Sequence, residues 1–375
     1  MIKYGTNLRE LLDKYYPQLH LSRKKFMAGL VLSIIKTQSV KFSVLSRVLN
    51  VKVKSESNLR RIQDFFSDFD LNFDVMSLMT MKFIPAGRYH LSIDRTNWKR
   101  GEKNLNVLCL TIYFNGTGVP ILFEMLDKRG NSNQEERIDL LDKFIKLFGA
   151  HRIASLTADR EFIGNDWYKY LKDKNIPFYV RLPKSHRINA GGVLYRAETL
   201  LEACLRINKH HLENVRVDDV RVNIGFKKLP KGIAGRKEDD YLIVITQEKG
   251  RYATEKYTKR WSIETFFQAI KGRGFNIEQT HLTEPERFKK LFAVVSLAYV
   301  LCLSIGKYRD KYVKMIKTKN HGYKQYSFFR YGLNHFIEAI EAIIEDIKPL
   351  KHCFDLIDKI IADNLKLDLL KSFIT

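Results

Sequence analysis

The chain has 375 residues, enough for a large core and for two or three domains. Its composition, 45% hydrophobic and 12% aromatic with 8 prolines, excludes widespread disorder. Lys and Arg number 65 against 42 Asp and Glu, a formal net charge of +23. That excess favours a polyanionic partner, because each neutralised phosphate releases counterions. The basic residues are spread along the chain rather than gathered in one tail, which places nucleic acid ahead of an anionic membrane surface.

Cys109, Cys204, Cys302 and Cys353 are far apart and show no C-x-x-C spacing. They argue against zinc ribbons and a disulfide framework and fit a reducing cytoplasm. The first residues, MIKYGTNLRELLDKYY, carry charges throughout and lack the apolar region of a signal peptide. The longest apolar run, Leu291–Ile305, is short for a membrane span and reads as a buried helix.

Residues 1–83 read as helical. Leu30, Ile34 and Ile35 carry a buried-helix pattern, and FSVLSRVLN with SESNLRRIQDFFSDF gives two more amphipathic segments. Ser57 with Asn58 is a candidate cap for the second. The pair suggests either a helix-turn-helix module that reads DNA or a helical cap on the next domain. From Tyr89 the texture becomes β-branched and aromatic, predicting strands at 89–97, 104–114 and 118–126, with Asn115-Gly116 as the hairpin signal between the last two. A helix follows, with Ser132 and Glu135 as an S-x-x-E capping box and Gly149 as its stop. Then come a strand at 152–158, a helix near 164–173 and a strand at 177–182. This order predicts a mixed α/β domain. Residues 183–247 interrupt it as a mostly β insertion, and the chain is helical from Gly250 onward.

Asp94 falls within the first predicted strand, and Asp159 directly follows the fourth. Carboxylates on neighbouring strands can converge at one edge of a sheet. A hard divalent cation takes oxygen ligands, and two such ions can activate an attacking oxygen and stabilise the leaving one in phosphoryl transfer. Strand-end aspartates also serve as caps and ion-pair partners, and Glu161 is a nearby rival. The segment YTKRWSIETFFQAIK, 257–271, is more specific. At about 100° per residue, Tyr257, Arg260, Glu264 and Lys271 fall within about 60° of arc, with Ile263, Phe266 and Ile270 on a separate apolar face. The alternative is a solvated, salt-bridged face with Arg260 and Glu264 as a surface pair.

Tyr257-x2-Arg260-x3-Glu264-x6-Lys271 resembles the YREK signature of DDE transposases of insertion sequence family four. Asp94 in SIDRTNW and Asp159 in TADREF resemble that family's two catalytic aspartates, and the Gly-Asn-Ser of KRGNSNQEER resembles its segment before the first helix. The resemblance covers about residues 89–305. It implies an RNase H-like domain at 84–305, with a five-stranded mixed sheet and the β-rich insertion at about 183–247. Helical regions, 1–83 and 306–375, flank that domain, the first a possible DNA-binding module. It also implies that Asp94, Asp159 and Glu264 hold two Mg2+ ions, with Mn2+ able to substitute. Water then cuts at the element ends, and the freed 3′-hydroxyl attacks the opposite strand to form a hairpin in relatives, and finally target DNA. Tyr257, Arg260 and Lys271 would contact backbone phosphates, and Trp261, about 40° round the helix, would either stack on a displaced base or pack in the core.

Some relatives in the resembled family place a tryptophan in the insertion to receive a flipped base; this insertion holds none, and Tyr195, Phe226 or Tyr241 could substitute for it. The implied partners are double-stranded DNA, as terminal inverted repeats and target, and a second copy of the chain in the synaptic complex. The implied setting is a prokaryotic cytoplasm, at the nucleoid, with no membrane. Other readings are an RNase H-like nuclease without strand transfer, a catalytically idle DNA-binding relative, and a membrane-associated protein resting on Leu291–Ile305.

Overall fold

The computed structural model describes residues 6–229, 240–320, 322–342 and 346–372, so part of the expected insertion, 230–239, lies outside the described residues. The chain divides into two packing units. One comprises Arg88–Asn97 and Asn106–Thr265; the other comprises Met1–Gly87, Trp98–Leu105 and Phe266–Thr375.

The first unit is mixed α/β. Its strands are β1 (Tyr89–Arg100), β2 (Lys103–Phe114), β3 (Thr117–Met125), β4 (Ile153–Ala158), β5 (Phe178–Arg181), β6 (Arg187–Ala190), β7 (Val193–Arg196), β8 (His211–Val217), β9 (Val220–Leu229) and β10 (Asp240–Thr246). They form one ten-stranded sheet in the order β3-β2-β1-β4-β5-β10-β9-β8-β6-β7. The sheet therefore has ten strands and not the five expected. The five expected strands form one half, and the insertion continues it, because β10 pairs antiparallel with β5. Local pattern identified the strands, but the backbone pairing that joins the halves is long-range and leaves no local trace.

β1, β4 and β5 are mutually parallel, with Ile93 opposite Ala158 and Ala158 opposite Val180. Helices α6 (Gln134–Phe148) and α7 (Asn165–Asp173) make the crossovers. The cap of α6 lies one residue later than expected. Asn133 Oδ1 accepts from Glu136 N at 2.8 Å, and Glu136 Oε2 accepts from Asn133 N at 2.7 Å. Ser132 is not free to cap, because its hydroxyl accepts from Arg137 Nε at 2.8 Å. Gly149, with φ of 88°, closes the helix as expected. The insertion also carries α8 (Ala197–Arg206), and after β10 come α9 (Ala253–Tyr257) and α10 (Trp261–Ile270), which ends in the other unit.

The second unit is helical: α1 (Thr6–Tyr15), α2 (Leu21–Thr37), α3 (Phe42–Leu49), α4 (Ser55–Asp68), α5 (Phe73–Met81), α11 (Pro285–Tyr312), α12 (Phe328–Glu341) and α13 (Lys348–Ser372). Asn58 is not a cap but a buried residue inside α4, whose Nδ2 donates to Ser46 O and Asn50 O, both at 2.9 Å, fixing α3 against α4. The first helices share a core with the last ones: α2 packs on α11 and α12, and Lys290 Nζ donates to Phe66 O at 3.1 Å. α11 is long and apolar enough to cross a membrane, but 89% of its apolar window is buried within the protein.

Gly118 on β3 sets how closely α10 approaches the sheet. A Cβ at this position would lie 2.6 Å from Ser262 O and 3.2 Å from the Ile263 Cα, both backbone atoms that cannot swing aside. Gly118→Ala should displace the start of α10 and destabilise the protein by about 1–3 kcal/mol. Urea unfolding monitored by circular dichroism checks this; an unchanged midpoint would show that the backbone contact is not limiting.

Candidate active site

Side chains alternate along a strand with period two. Ser92 and Thr157 lie opposite each other on β1 and β4, both fully buried, with their hydroxyls 2.8 Å apart. Asp94 and Asp159 each follow two residues later, so both fall one pleat beyond that pair on one face of the sheet. In open α/β sheets this carboxyl-end edge is where ligands bind.

Glu264 reaches the same place through Arg260. Arg260 NH1 donates to Asp94 Oδ2 at 2.9 Å, and its NH2 pairs with Glu264 Oε1. One guanidinium thus bridges the first and third candidate acids. Tyr257 Oη donates to Asp159 Oδ1 at 3.1 Å, and Arg181 NH1 lies 3.9 Å from the same oxygen. The segment is not the single regular helix expected. α9 ends at Tyr257, Thr258–Arg260 form a 3₁₀ turn, and α10 starts at Trp261. The tighter turn changes the angular spacing of the stripe. The apolar face survives, with Ile263, Phe266 and Ile270 fully buried. Tyr257 and Arg260 are also buried, at 7% exposure each, so the stripe is not a solvated face.

Burial pushes the Asp94 carboxyl up to about 7, against Arg260 and the Arg95 backbone N–H, and with Asp159 and Glu161 adding repulsion. Burial acts in the same direction on Asp159. There Arg260, the Arg160 backbone N–H, Arg181 and the Tyr257 hydroxyl outweigh it, and its pKa lies below the ordinary value. Burial opposes the charge of Arg260, but Tyr257, Asp94, Asp159 and Glu264 around it more than offset that, so the guanidinium stays charged. Its Nε is buried without a hydrogen-bond partner.

The donor set suits a hard divalent cation in kind, since all three side chains are carboxylates. Among the described residues, however, no three acidic, histidine or cysteine side chains are grouped closely enough to hold an ion. The guanidinium lies between the acids instead.

Several residues that fix this arrangement were not singled out from sequence. Arg95 grips Glu161 with a fork, Nε to Oε1 at 3.2 Å and NH2 to Oε2 at 3.0 Å. It also reaches Asn106 Oδ1 at 3.0 Å and Asn131 Oδ1 at 3.1 Å. Glu161, the rival acid, is therefore committed to an ion pair. Arg137, 3% exposed, donates to Glu161 O at 2.9 Å and Ile163 O at 3.0 Å, holding the loop that carries Asp159. The Gly-Asn-Ser segment thus supplies acceptors to two arginines. The segment was marked in the sequence only by its family resemblance, and nothing local showed that it would hold Arg95 and Arg137.

The remaining candidates are placed apart from these contacts. Lys271 lies past the end of α10, in the helical unit, where Nζ pairs with Glu278 Oε1 at 3.0 Å and sits 5.3 Å from the Trp98 ring. Trp261 is 59% exposed and not packed in the core. Of the aromatic substitutes in the insertion, Phe226 and Tyr241 are buried, and Tyr195 on β7 is exposed.

The fold and site together define a mixed α/β protein in which Asp94 and Asp159 directly follow the last paired residues of two adjacent parallel strands. The chain belongs to the transposase DDE domain family, whose sequence profile matches residues 85–301, more than half of its length. Among solved structures it is similar to a piggyBac transposase synaptic complex with hairpin DNA, at 11% identity and a TM-score of 0.43, over 96% of this chain and 82% of that one. No curated protein matches it.

Because its folded-state pKa exceeds the ordinary 3.8, Asp94 favours folding fully below about pH 4, and that contribution is lost as pH rises through about 7. Asp94→Asn should therefore raise the melting temperature of chelator-treated protein at pH 8, with the gain shrinking toward pH 5. Equal melting temperatures at pH 8 would refute the raised pKa. Arg95→Lys keeps the charge but loses the fork. It should lower stability by roughly 1–3 kcal/mol by leaving Asn106 and Asn131 short of a donor, readable by thermal unfolding.

Proposed function

We propose that this transposase is the mobility enzyme of an insertion sequence of the YREK group. It binds the element's terminal inverted repeats, cleaves at the ends by metal-dependent phosphodiester hydrolysis and joins the 3′ ends to target DNA. The observation that carries this reading is the convergence of Asp94, Asp159 and Glu264 around Arg260, within a chain of the transposase DDE domain family. The strand order β3-β2-β1-β4-β5, with β1, β4 and β5 parallel, supports an RNase H-like core at 84–305 between helical regions 1–83 and 306–375.

In this reading Asp94, Asp159 and Glu264 are the catalytic, metal-holding acids. These three acids would hold magnesium, or manganese in its place, which when bound would supply Lewis-acid chemistry for the phosphodiester cleavage. The protein's own residues do the rest. Tyr257 orients Asp159 by its hydrogen bond, and its ring is fixed in a small core with Tyr179, Leu242, Val244 and Ala253. Arg260 holds Asp94 and Glu264 together and, when these are neutralised otherwise, offers its planar fork to a phosphate of the cleaved end. Lys271 is a second phosphate contact. Trp261 presents an exposed face to an unpaired base. Arg60 and Arg61, exposed on α4, are candidates to meet DNA in the N-terminal region. Two ends must be paired, so the working form is a homodimer on DNA, at the nucleoid of a prokaryotic cytoplasm.

Glu264→Gln should reduce magnesium-dependent cleavage of a labelled duplex bearing the element's own terminus to background, while leaving duplex binding nearly intact. Sizing the products of the unmodified enzyme as nicked, hairpin and joined species separates transposition from simple nuclease action. Cleavage by Glu264→Gln at the unmodified rate would remove the assignment of this acid.

A further inference from the structure

The last turns of α11 and the segment leading to α12 form a strongly basic stretch that the site does not use. From Lys307 to Tyr326 the described residues carry Lys307, Arg309, Lys311, Lys314, Lys317, Lys319 and Lys324 against one acid, Asp310. That acid is spent internally: its carboxylate accepts from Ile316 N at 2.8 Å and pairs with Lys324. Lys311, Lys314, Lys317 and Lys319 are exposed and have no carboxylate partner among the described residues.

Charge alone would describe an ordinary solvated surface. The second observation is apolar. Tyr312, Val313, Met315, Tyr323 and Tyr326 are 62%, 56%, 74%, 75% and 40% exposed, five large hydrophobic side chains within fifteen positions. Aromatic rings alternating with unpaired lysines suit a ligand that is both anionic and flat-faced or sugar-rich.

The segment is also built rather than loose. Lys319 N donates to Tyr323 O at 2.9 Å and Gln325 N to Lys317 O at 2.8 Å, making a short hairpin. Ile316, 4% exposed, anchors its base, and Tyr331 Oη donates to Lys314 O at 3.0 Å. The Tyr308 and Tyr312 rings lie 4.9 Å apart, with Lys311 4.7 Å from the Tyr312 ring and Lys359 of α13 5.7 Å from that of Tyr308. These cations are therefore held against aromatic faces.

The geometry points to a second DNA-binding surface: the described residues of 311–320 and 322–326 grip the phosphate backbone of duplex DNA. This rests on the reading of the chain as a DNA transposase. The lysines neutralise phosphates, and the tyrosines donate to phosphate oxygens and pack on sugars. Such contacts are indifferent to sequence, so the surface suits target or flanking DNA rather than the terminal repeat.

The test uses full-length protein carrying Glu264→Gln, so that bound DNA is not cut. Fluorescence anisotropy measures binding to a random-sequence 30-base-pair duplex, to a single strand of equal length, and to vesicles containing phosphatidylserine, across a salt series. Lys314→Gln/Lys317→Gln/Lys319→Gln should weaken duplex binding at least tenfold and flatten the salt dependence by about 2–3, at about 0.9 per lost phosphate contact. Tyr312→Ala/Tyr323→Ala should weaken binding without changing the slope. Both sets alter exposed side chains, so an unchanged melting temperature would accompany the effect. Duplex binding and slope equal to the parent's overturn the proposal while leaving the transposase reading standing. Effects confined to the single strand or to vesicles overturn it as well. A parent that binds no duplex at any salt removes both readings.

Discussion

Carboxylates held near one another and partly out of water stay ionised only with a positive charge between them. In this chain that charge is the guanidinium of Arg260, bound to Asp94 and Glu264 and close enough to Asp159 to depress its pKa. Arginine suits the place better than lysine would, because its planar fork addresses two acids at once and it cannot shed its proton on burial. The cost is visible in the structure as an unmatched Nε and as an Asp94 held near neutrality. A site optimised only for stability would keep neither.

The supporting structure serves that cluster from two sides. On the sheet side, the pairing of β1 with β4 and the buried Ser92–Thr157 hydroxyl pair fix the two aspartates level with each other. Arg95 and Arg137 then clasp the loop after Asp159 through Glu161 and its neighbours. On the helix side, the close approach at Gly118 sets where α10 begins, and the 3₁₀ turn aims Arg260 at the sheet. The neighbouring carboxyls end with pKa values pushed apart, Asp94 up and Asp159 down, by unequal burial and unequal company. Such divergence within one cluster is a common mark of a functional site.

Much of this was legible in the sequence where the controlling interaction is local. Strands β1 to β5, helices α6 and α7 and the stop at Gly149 follow from alternation, helical spacing and a glycine at positive φ. Asp94 and Asp159 stood out as candidates because each is attached to a strand, and the structure places both near Arg260. Glu264 was readable because Tyr257, Arg260 and Lys271 accompany it at fixed spacing. What was not legible depends on distant partners. Ser132 looked like a cap because nothing local shows that Arg137 takes its hydroxyl. Asn58 looked like a cap because its acceptors, Ser46 O and Asn50 O, belong to the preceding helix and turn. The helical stripe was drawn on a uniform helix, whereas the backbone tightens at Thr258–Arg260, and Lys271 falls beyond the last turn.

The ten-stranded sheet changes how the insertion should be regarded. Had β6 to β10 formed a separate body, their sequence could drift without consequence for the acids. Instead β10 pairs with β5, and β5 pairs with β4, the strand that leads directly into Asp159. The chain leaving β10 then forms α9, whose Tyr257 packs against Leu242 and Val244 of β10 and Tyr179 of β5 and hydrogen-bonds to Asp159. Asp159 is thus reached from the insertion by two routes, one through sheet pairing and one through the tyrosine. A shift of β10 along β5 by one residue would turn Leu242 and Val244 to the opposite face. It would remove the floor beneath Tyr257 and so disturb the second acid without altering any residue that touches it.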